Sequence, residues 1–195
     1  MTQPADIAAQ CQSLDELVHS AQQCRVCPAL AADRGHVVVG QHPPGARVFV
    51  VGEAPGAQED LTGEPFVGRS GQLLDTVLHD AGLPRSSVAI TSVVKCRPPA
   101  NRTPTRAEIV SCSPWLDQQL QLIDPQIVVA LGTVAMQWAL GRQARVGEQR
   151  GRLQPFRDRQ LMVTYHPSAA LRFGPNGAPL AALRDDLAIV AAALR

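Results

Sequence analysis

Lysine is nearly absent from this sequence, since Lys95 is the only one in 195 residues. The formal net charge is only +1, so bulk electrostatics do not indicate a nucleic-acid-binding protein. No apolar run approaches the roughly 18 residues that cross a bilayer, and no Lys or Arg precedes Arg25, unlike a secretory or mitochondrial leader. We therefore expect a cytoplasmic protein without membrane contact, a monomer by default, with a single domain over residues 1–195. Residues 1–12 show no strong pattern and are expected to be flexible.

The sequence also lacks the two common phosphate-binding spacings. Residues 52–60 form a glycine-containing loop after an apolar run, but they contain neither G-x-G-x-x-G nor G-x-x-x-x-G-K-S/T. Dinucleotide binding and P-loop hydrolysis are therefore disfavoured.

Short β-branched runs alternate with segments of helical pattern. This alternation predicts an α/β fold, with a parallel sheet covered by helices on both faces. An Arg-rich segment, residues 142–159, is predicted to be a ribbon or loop. The capping pattern Thr105-Arg-Ala-Glu108 predicts a helix start, and Ser70 is the expected cap of an earlier helix. The predicted strands are residues 47–52, 88–94, 126–131 and 161–165.

Polar residues follow three of these predicted strands directly. Residues 52–60 follow the first, residues 95–102 follow the second, and His166 follows the fourth. Ligands of open α/β sheets bind outside the carboxyl ends of the strands, so we expect a site at this edge. Two basic stretches, 95–106 and 142–159, could line one phosphate-contacting face. They could equally be solvated loops of an arginine-rich chain.

Five cysteines are present, and an odd number in a cytosolic chain argues against a disulfide framework. Cys24 and Cys27 form a C-x-x-C pair which, with Cys96 and Cys112, is a plausible tetradentate set. Four thiolates suit either a [4Fe–4S] cluster or Zn²⁺, and spacing alone does not decide between them. Buried, unliganded cysteines are the alternative. Cys11 lies outside the set and is expected to be a free thiol.

Together these segments resemble the family 4, or iron–sulfur, uracil-DNA glycosylases over residues 24 to about 172. The resemblance implies a three-layer α/β/α sandwich with a central four-stranded parallel sheet. It implies a [4Fe–4S] cluster on the four cysteines, with zinc less favoured, and hydrolytic excision of flipped-out uracil from DNA that leaves an abasic site. The matching motifs include Gly52-Glu-Ala-Pro-Gly56, Glu59-Asp60, Gly63 to Gly68, Gly71-Gln-Leu-Leu74, Val93-Val-Lys-Cys-Arg-Pro-Pro99, Asn101-Arg-Thr-Pro104 and Thr164-Tyr-His-Pro-Ser168.

The resemblance also implies roles for individual residues. Phe66 would stack on the flipped uracil, while Glu59 and the backbone of Glu53 and Ala54 would shape the pocket. His166 would donate a hydrogen bond to uracil O2 as negative charge develops on the leaving base. Many related glycosylases have an aspartate where this chain has Ala54, so we hypothesise that Glu53 positions the attacking water.

Contacts to DNA are expected from the basic loop after the second strand and from the segment after His166. Leu171 is the candidate wedge that would replace the flipped base. Lyase chemistry would need a lysine that forms a Schiff base, and the sequence offers none near the predicted site except Lys95. We therefore expect a monofunctional glycosylase. The predicted DNA-binding residues are Lys95, Arg97, Asn101, Arg102, Leu171 and Arg172.

Ser92 departs from the family pattern, which has a uracil-reading asparagine at this position. Serine carries one hydroxyl in place of an amide, and losing such a contact costs roughly 1–3 kcal/mol of recognition. We expect uracil excision to persist in weakened form. Two alternatives stay open: a glycosylase for another deaminated or modified base, and a non-catalytic iron–sulfur protein that binds DNA.

Overall fold

A five-stranded sheet forms the centre of the fold in the computed structural model, which describes residues 3–141 and 143–195. The strands are β1 Val48–Gly52, β2 Val88–Ser92, β3 Ile127–Leu131, β4 Leu153–Phe156 and β5 Arg159–Thr164, in the order β2-β1-β3-β5-β4. β1, β2, β3 and β5 run parallel, whereas β4 pairs antiparallel with β5.

Helices and short turns connect the strands. Thr105 accepts a hydrogen bond from the Glu108 N–H and Glu108 accepts one from the Thr105 N–H, so the predicted capping box is confirmed. Ser70 is not a cap, because Gly68 precedes the helix that begins at Arg69. The helices are α1 Pro4–Gln10, α2 Leu14–Gln22, α3 Pro28–Ala31, α4 Ala57–Thr62, α5 Arg69–Asp80, α6 Arg106–Ile123, α7 Gly132–Leu140, α8 Val146–Gln149, α9 Pro167–Phe173 and α10 Ala178–Ala193, with 3₁₀ turns at Arg85–Ser87 and Pro99–Asn101.

The α/β prediction is confirmed, but the prediction of a four-stranded parallel sheet is wrong in detail. The Arg-rich segment contributes α8 and the antiparallel edge strand β4. This strand contains the exposed Pro155 and only one fully buried residue, Phe156. Because an edge strand buries little and tolerates proline, it does not produce the apolar run by which the four parallel strands were predicted.

Two apolar layers pack on opposite faces of the sheet. One contains Leu17 of α2, Phe49 of β1 and Trp115 of α6. The other contains Leu74 of α5 and Leu183 of α10. Consecutive residues of β1 alternate between the two layers, since successive strand side chains point to opposite faces. The sheet is thus covered by helices on both faces.

Within residues 1–12, which show no strong pattern in the sequence and were expected to be flexible, the structure describes a packed helix. α1 begins at Pro4, a residue suited to the first helical position. Ala8 is buried in the layer that contains α6, and the Gln118 side chain donates to the Cys11 carbonyl. Small residues carry this packing, so hydropathy gives little sign of it; residues 1 and 2 lie outside the described part. Among the helices described, none is both long and apolar enough to cross a membrane.

Candidate active site

An open cleft of about 1230 Å³ lies at the carboxyl ends of the parallel strands. β1 contributes Glu53 just past its end, β2 contributes Ser92, and β5 is followed by His166. The loop between α4 and α5 adds Phe66. The structure therefore brings together three segments that the sequence placed at one sheet edge.

His166 is the residue that precedes α9, and its ring is tied to the start of that helix. Nδ1 accepts a hydrogen bond from the Ser168 N–H at 3.2 Å and lies 2.9 Å from Ser168 Oγ. Burial lowers the pKa of His166 to about 4, although the charge of Glu59 opposes this shift. The ring is therefore neutral near pH 7, and because Nδ1 accepts, its proton lies on Nε2. A neutral histidine with a free Nε2–H can donate to an oxygen in the cleft.

Phe66 lies against His166, with ring centroids 5.7 Å apart and planes inclined by 33°. Its ring packs over Gly52, where a Cβ would lie 2.5 Å from Phe66 Cζ. Any side chain at Gly52 would therefore displace the aromatic ring. Phe66 is only 7% exposed and has a left-handed backbone, with φ of 53°. The ring forms one wall of the cleft and can present a π-face to a planar base.

Glu59 binds the loop that carries Phe66. Its carboxylate accepts hydrogen bonds from the N–H groups of Gly56, Val67 and Gly68 at 2.8–3.0 Å. Glu59 lines the cleft, but its oxygens already hold three backbone donors. Glu59 therefore holds the backbone of this loop in place from the cleft side.

Glu53 and Ala54 line the cleft immediately after β1. The Glu53 carbonyl accepts from the Val94 N–H at 3.1 Å, which extends the β1–β2 pairing past the strand ends. The Glu53 side chain is partly exposed, and burial raises the pKa of its carboxyl. A carboxylate with a raised pKa is a better proton acceptor than an ordinary surface one.

Ser92 lies in the floor of the cleft and is 6% exposed. Its carbonyl accepts from Lys95 Nζ at 2.7 Å. Its hydroxyl lies near Gly52 and the Phe66 ring, since a Cβ at Gly52 would be 3.3 Å from Ser92 Oγ. The position that departs from the family pattern is therefore in the cleft itself.

Lys95 does not lie on a DNA-binding surface, and that prediction is wrong. The side chain is 1% exposed, and Nζ donates to Thr91 Oγ1 and the Ser92 carbonyl at 2.7 Å each. Burial lowers the pKa of Lys95 to about 7, against the raising effect of Cys112, Asp117 and Cys96. The sequence shows the charge of a lysine but not the direction of its side chain. The side chain of Lys95 points into the protein, toward Thr91 and Ser92.

The other predicted DNA contacts are at the surface. Arg97 Nε donates to Asn101 Oδ1 at 2.7 Å, and Arg102 forms two hydrogen bonds with the Glu108 carboxylate. Asn101, Arg102 and Arg172 line the cleft, whereas Leu171, 37% exposed on α9, lies outside its lining.

Thr133 and Tyr165 are among the lining residues that were not singled out from the sequence, although their positions carried a signal. Thr133 is the second residue of α7, which directly follows β3, and Tyr165 directly precedes His166. Both come after the carboxyl ends of strands, where the same topological rule applies. Arg145, from the Arg-rich segment, also reaches the cleft.

The four predicted ligand cysteines share one region of the fold. Cys96 and Cys112 are buried in the layer that contains α6, and Cys24 and Cys27 pack against it. Arg34 Nη1 donates to Cys96 Sγ at 3.2 Å, and the Lys95 N–H donates to Cys112 Sγ at 3.3 Å. All four are free thiols, as is the buried Cys11.

Burial and neighbouring thiols both raise the pKa values of Cys27 and Cys112. Burial, with contributions from Cys96 and Cys24, raises the pKa of Cys112 to about 12, although Lys95 acts in the opposite direction. Burial likewise raises the pKa of Cys27, with contributions from Cys24 and Cys96. The thiols are thus close enough to resist each other's ionisation. Over residues 3–141 and 143–195, no three His, Cys, Asp or Glu side chains are grouped so as to hold one metal ion.

Known proteins resemble this chain over most of its length. The model of the Uracil DNA glycosylase superfamily matches residues 39–188. A type-4 uracil-DNA glycosylase of Pyrobaculum aerophilum is 43% identical over 169 residues, which cover 83% of this chain and 84% of the relative. One from Thermotoga maritima is 41% identical, covering 80% and 81%, and a type-5 uracil-DNA glycosylase of Thermus thermophilus is 33% identical, covering 79% and 86%. The chain therefore belongs to the uracil-DNA glycosylase superfamily, and within it to the type-4 family.

Proposed function

We propose that this chain flips uracil out of DNA and hydrolyses its N-glycosidic bond, leaving an abasic site for repair. The observation that carries the proposal is the pairing of Phe66 with a neutral His166 in one cleft, 5.7 Å between ring centroids. A stacking surface and a hydrogen-bond donor are what a pocket needs to hold a planar base and accept its leaving charge.

The reaction separates charge along one bond. As the bond between uracil N1 and sugar C1′ breaks, the sugar gains positive charge and the base gains negative charge, part of it on O2. The Nε2–H of His166 donates to O2 and stabilises this anion. Because the charge exists only as the bond breaks, the contact lowers the barrier more than it strengthens binding. The neutral ring is suited to this, since it donates without losing its proton.

Glu53 is the group that we assign to the attacking water. Its carboxyl lines the cleft and has a pKa raised by burial. The ionised carboxylate would orient a water molecule toward C1′ and accept its proton as the C–O bond forms. Ala54 offers no side chain for this task, so Glu53 is the nearest acid in sequence that can perform it.

DNA would lie across the cleft mouth, held by backbone contacts. Arg97, Asn101, Arg102 and Arg172 supply donors suited to phosphate, and Arg145, which also lines the cleft, adds a further one. Leu171 is exposed on α9 beside Arg172 and is our candidate for the wedge that fills the gap left by the flipped base. We further propose that the chain acts as a monomer in the cytoplasm.

The four-cysteine region suits a [4Fe–4S] cluster held by Cys24, Cys27, Cys96 and Cys112. Support comes from the donor set, which is four thiols, and from N–H donors directed at two sulfurs. A bound cluster would supply positive charge that lets the crowded thiols ionise, and would tie the N-terminal segment to β2 and α6. Zinc is the less favoured alternative. Nothing in the proposed chemistry passes through this group.

A second candidate function follows from Ser92. A hydroxyl in place of an amide leaves the floor of the cleft less selective for uracil, so the pocket could accept another deaminated base such as hypoxanthine or xanthine. A non-catalytic DNA-binding role is the third possibility.

One assay separates these functions. Labelled oligonucleotides that carry uracil, hypoxanthine or xanthine are incubated with the protein, and alkali then cleaves any abasic site. We expect release of uracil, lost in His166→Ala. Release of a purine lesion alone would mean that the pocket is used for another base. DNA binding with no release would identify a non-catalytic binder.

A further inference from the structure

Arg85 lies behind the loop that carries Phe66, outside the lining of the cleft. It begins the 3₁₀ turn before β2 and donates to the backbone carbonyls of Phe66, at 3.1 Å, and of Pro65. The same guanidinium binds the Asp75 carboxylate of α5 at 2.8 Å and the Gln41 side chain at 3.0 Å. One side chain therefore joins the loop to α5 and to the start of β2.

The backbone at Phe66 needs such support. Its φ of 53° lies in the left-handed region, which residues with a Cβ adopt only at a cost. The Phe66 carbonyl is pressed against α5, since a Cβ at Gly71 would lie 1.8 Å from the Phe66 oxygen. A carbonyl turned into the protein needs a donor, and Arg85 provides one for Phe66 and for the residue before it.

The loop is thus held from two sides by opposite charges. On the cleft side, Glu59 accepts from the N–H groups of Val67 and Gly68. On the far side, Arg85 donates to the carbonyls of Pro65 and Phe66. Four consecutive residues are held, and the ring of Phe66 projects from the middle of them. Small rotations of this backbone would move the ring relative to His166.

We propose that Arg85 is a positioning residue for excision, which acts on the base through Phe66 and not by contact with DNA. This inference rests on the stacking role proposed for Phe66. The competing interpretation is that Arg85 only stabilises the fold through its ion pair with Asp75, whose side chains are 25% and 42% exposed. Partly exposed pairs of this kind contribute little to stability, and the two interpretations predict different kinetics.

The test is a double-mutant cycle on Arg85 and Phe66, measured as kcat/KM on a uracil oligonucleotide at a temperature where every variant is folded. Arg85→Ala should lower kcat/KM about tenfold or more, because small displacements of positioning groups are costly. In the Phe66→Ala background the same change should have less than about a twofold effect, because two residues that act through one interaction are not additive.

Three further variants make the cycle specific. Asp75→Asn removes the ion pair and leaves the carbonyl contacts, so its kcat/KM should stay near that of the unaltered chain. Arg85→Lys should have a kcat/KM between those of the unaltered chain and Arg85→Ala, since an ammonium lacks the fork that reaches two carbonyls at once. If Arg85→Ala does not fold, Arg85→Lys takes its place in the cycle. Arg159→Ala is the matched control, because Arg159 also donates to a carbonyl and to aspartates, but at the opposite end of β5. It should lower the melting temperature without lowering kcat/KM.

The outcomes separate this inference from the proposal on which it rests. Equal losses from Arg85→Ala with and without Phe66 would overturn the positioning role while leaving the stacking role intact. The same holds if Asp75→Asn loses as much activity as Arg85→Ala. Normal excision by Phe66→Ala alone would overturn both.

Discussion

The cleft and the four-cysteine region both lie just past the carboxyl end of β2, yet they are built differently. In the cleft, Glu59 and the ring of His166 are held by backbone N–H groups within the chain. In the cysteine region, Cys96 and Cys112 are buried in an apolar layer against which Cys24 and Cys27 pack, and the pKa values of Cys27, Cys96 and Cys112 are raised. The cleft is preorganised by hydrogen bonds within the chain, whereas burial disfavours ionisation of Cys96 and Cys112 even though Arg34 and Lys95 lie beside them.

Lys95 connects the two regions. Its Nζ binds the carbonyl of Ser92 in the cleft floor, and its backbone N–H binds Cys112 Sγ. We expect that excision and the assembly of the proposed cluster can be altered separately. Changes in the cleft should affect rate without affecting iron, and changes at the cysteines should affect assembly first.

The largest effect on rate should come from His166→Ala. Removal of one preorganised donor to a leaving anion costs about 10²–10³ in kcat, and the cleft should otherwise keep its shape. The measurement is single-turnover excision of uracil, together with iron content and melting temperature. Unchanged iron with lost excision would sharpen the contrast; lost iron would break it.

The largest effect on assembly should come from Cys112→Ala. We expect the purified protein to lose its iron and its melting temperature to fall by about 10 °C, which at 2–4 °C per kcal/mol corresponds to a few kcal/mol. Cys11→Ala is the matched control, since Cys11 is buried but lies outside the set. Iron retained by Cys112→Ala, or lost equally from Cys11→Ala, would contradict the proposed ligands.

Glu53→Gln should lower turnover by about tenfold or more, because the amide orients water but does not accept its proton. Burial raises the pKa of Glu53, and only the ionised form is a base. The rate should therefore fall as the pH drops through that raised pKa. This acid limb should disappear in the Glu53→Gln variant, and a limb that persists would assign it to another group.

Ser92→Asn should raise kcat/KM for uracil by about fivefold, which corresponds to the lower end of the 1–3 kcal/mol for a regained hydrogen bond. The comparison is made with uracil and hypoxanthine substrates in parallel. A variant that gains on uracil and loses on hypoxanthine would show that this position sets base choice. No change on either substrate would remove Ser92 from base recognition.

The smallest effect concerns the ion pair that spans both regions, in which Arg102 lines the cleft and Glu108 lies on α6 near the cysteines. Hydrogen bonds from Arg102, together with those from Thr105, lower the pKa of Glu108 to about 2, and burial opposes this shift. A carboxylate with a depressed pKa contributes stability above its unfolded pKa, near 4.5, and loses it as the pH falls toward 2.

Glu108→Gln should therefore be less stable than the unaltered chain at pH 7 by about 1 kcal/mol, a value kept low because Arg102 is partly exposed. The difference should shrink between pH 4.5 and pH 2. Urea unfolding across this range is the measurement. A difference that is independent of pH would mean that the side chain contributes by packing alone.

Some residues of the site could be predicted from the sequence, and others could not. His166 and Glu53 were placed at the sheet edge because they directly follow apolar strands, and that rule depends only on chain order. Arg85 was not identified, because its partners are carbonyls of a loop nineteen to twenty residues away in sequence. Lys95 was wrongly predicted to contact DNA, because the direction of a side chain past a strand end depends on which element covers that end. Here α6 and its Cys112 lie beside Lys95, and the side chain is buried.

The sequence by itself determined the parallel strands, the capping box at Thr105 and the order in which cleft residues follow the strands. Each of these depends on local chemistry or on periodicity along the chain. Only the tertiary structure decided that β4 joins the sheet edge, that residues 4–10 pack as a helix, that Lys95 is buried and that Arg85 holds the loop of Phe66. Those features depend on contacts between distant segments, and no local pattern encodes which segment will cover another.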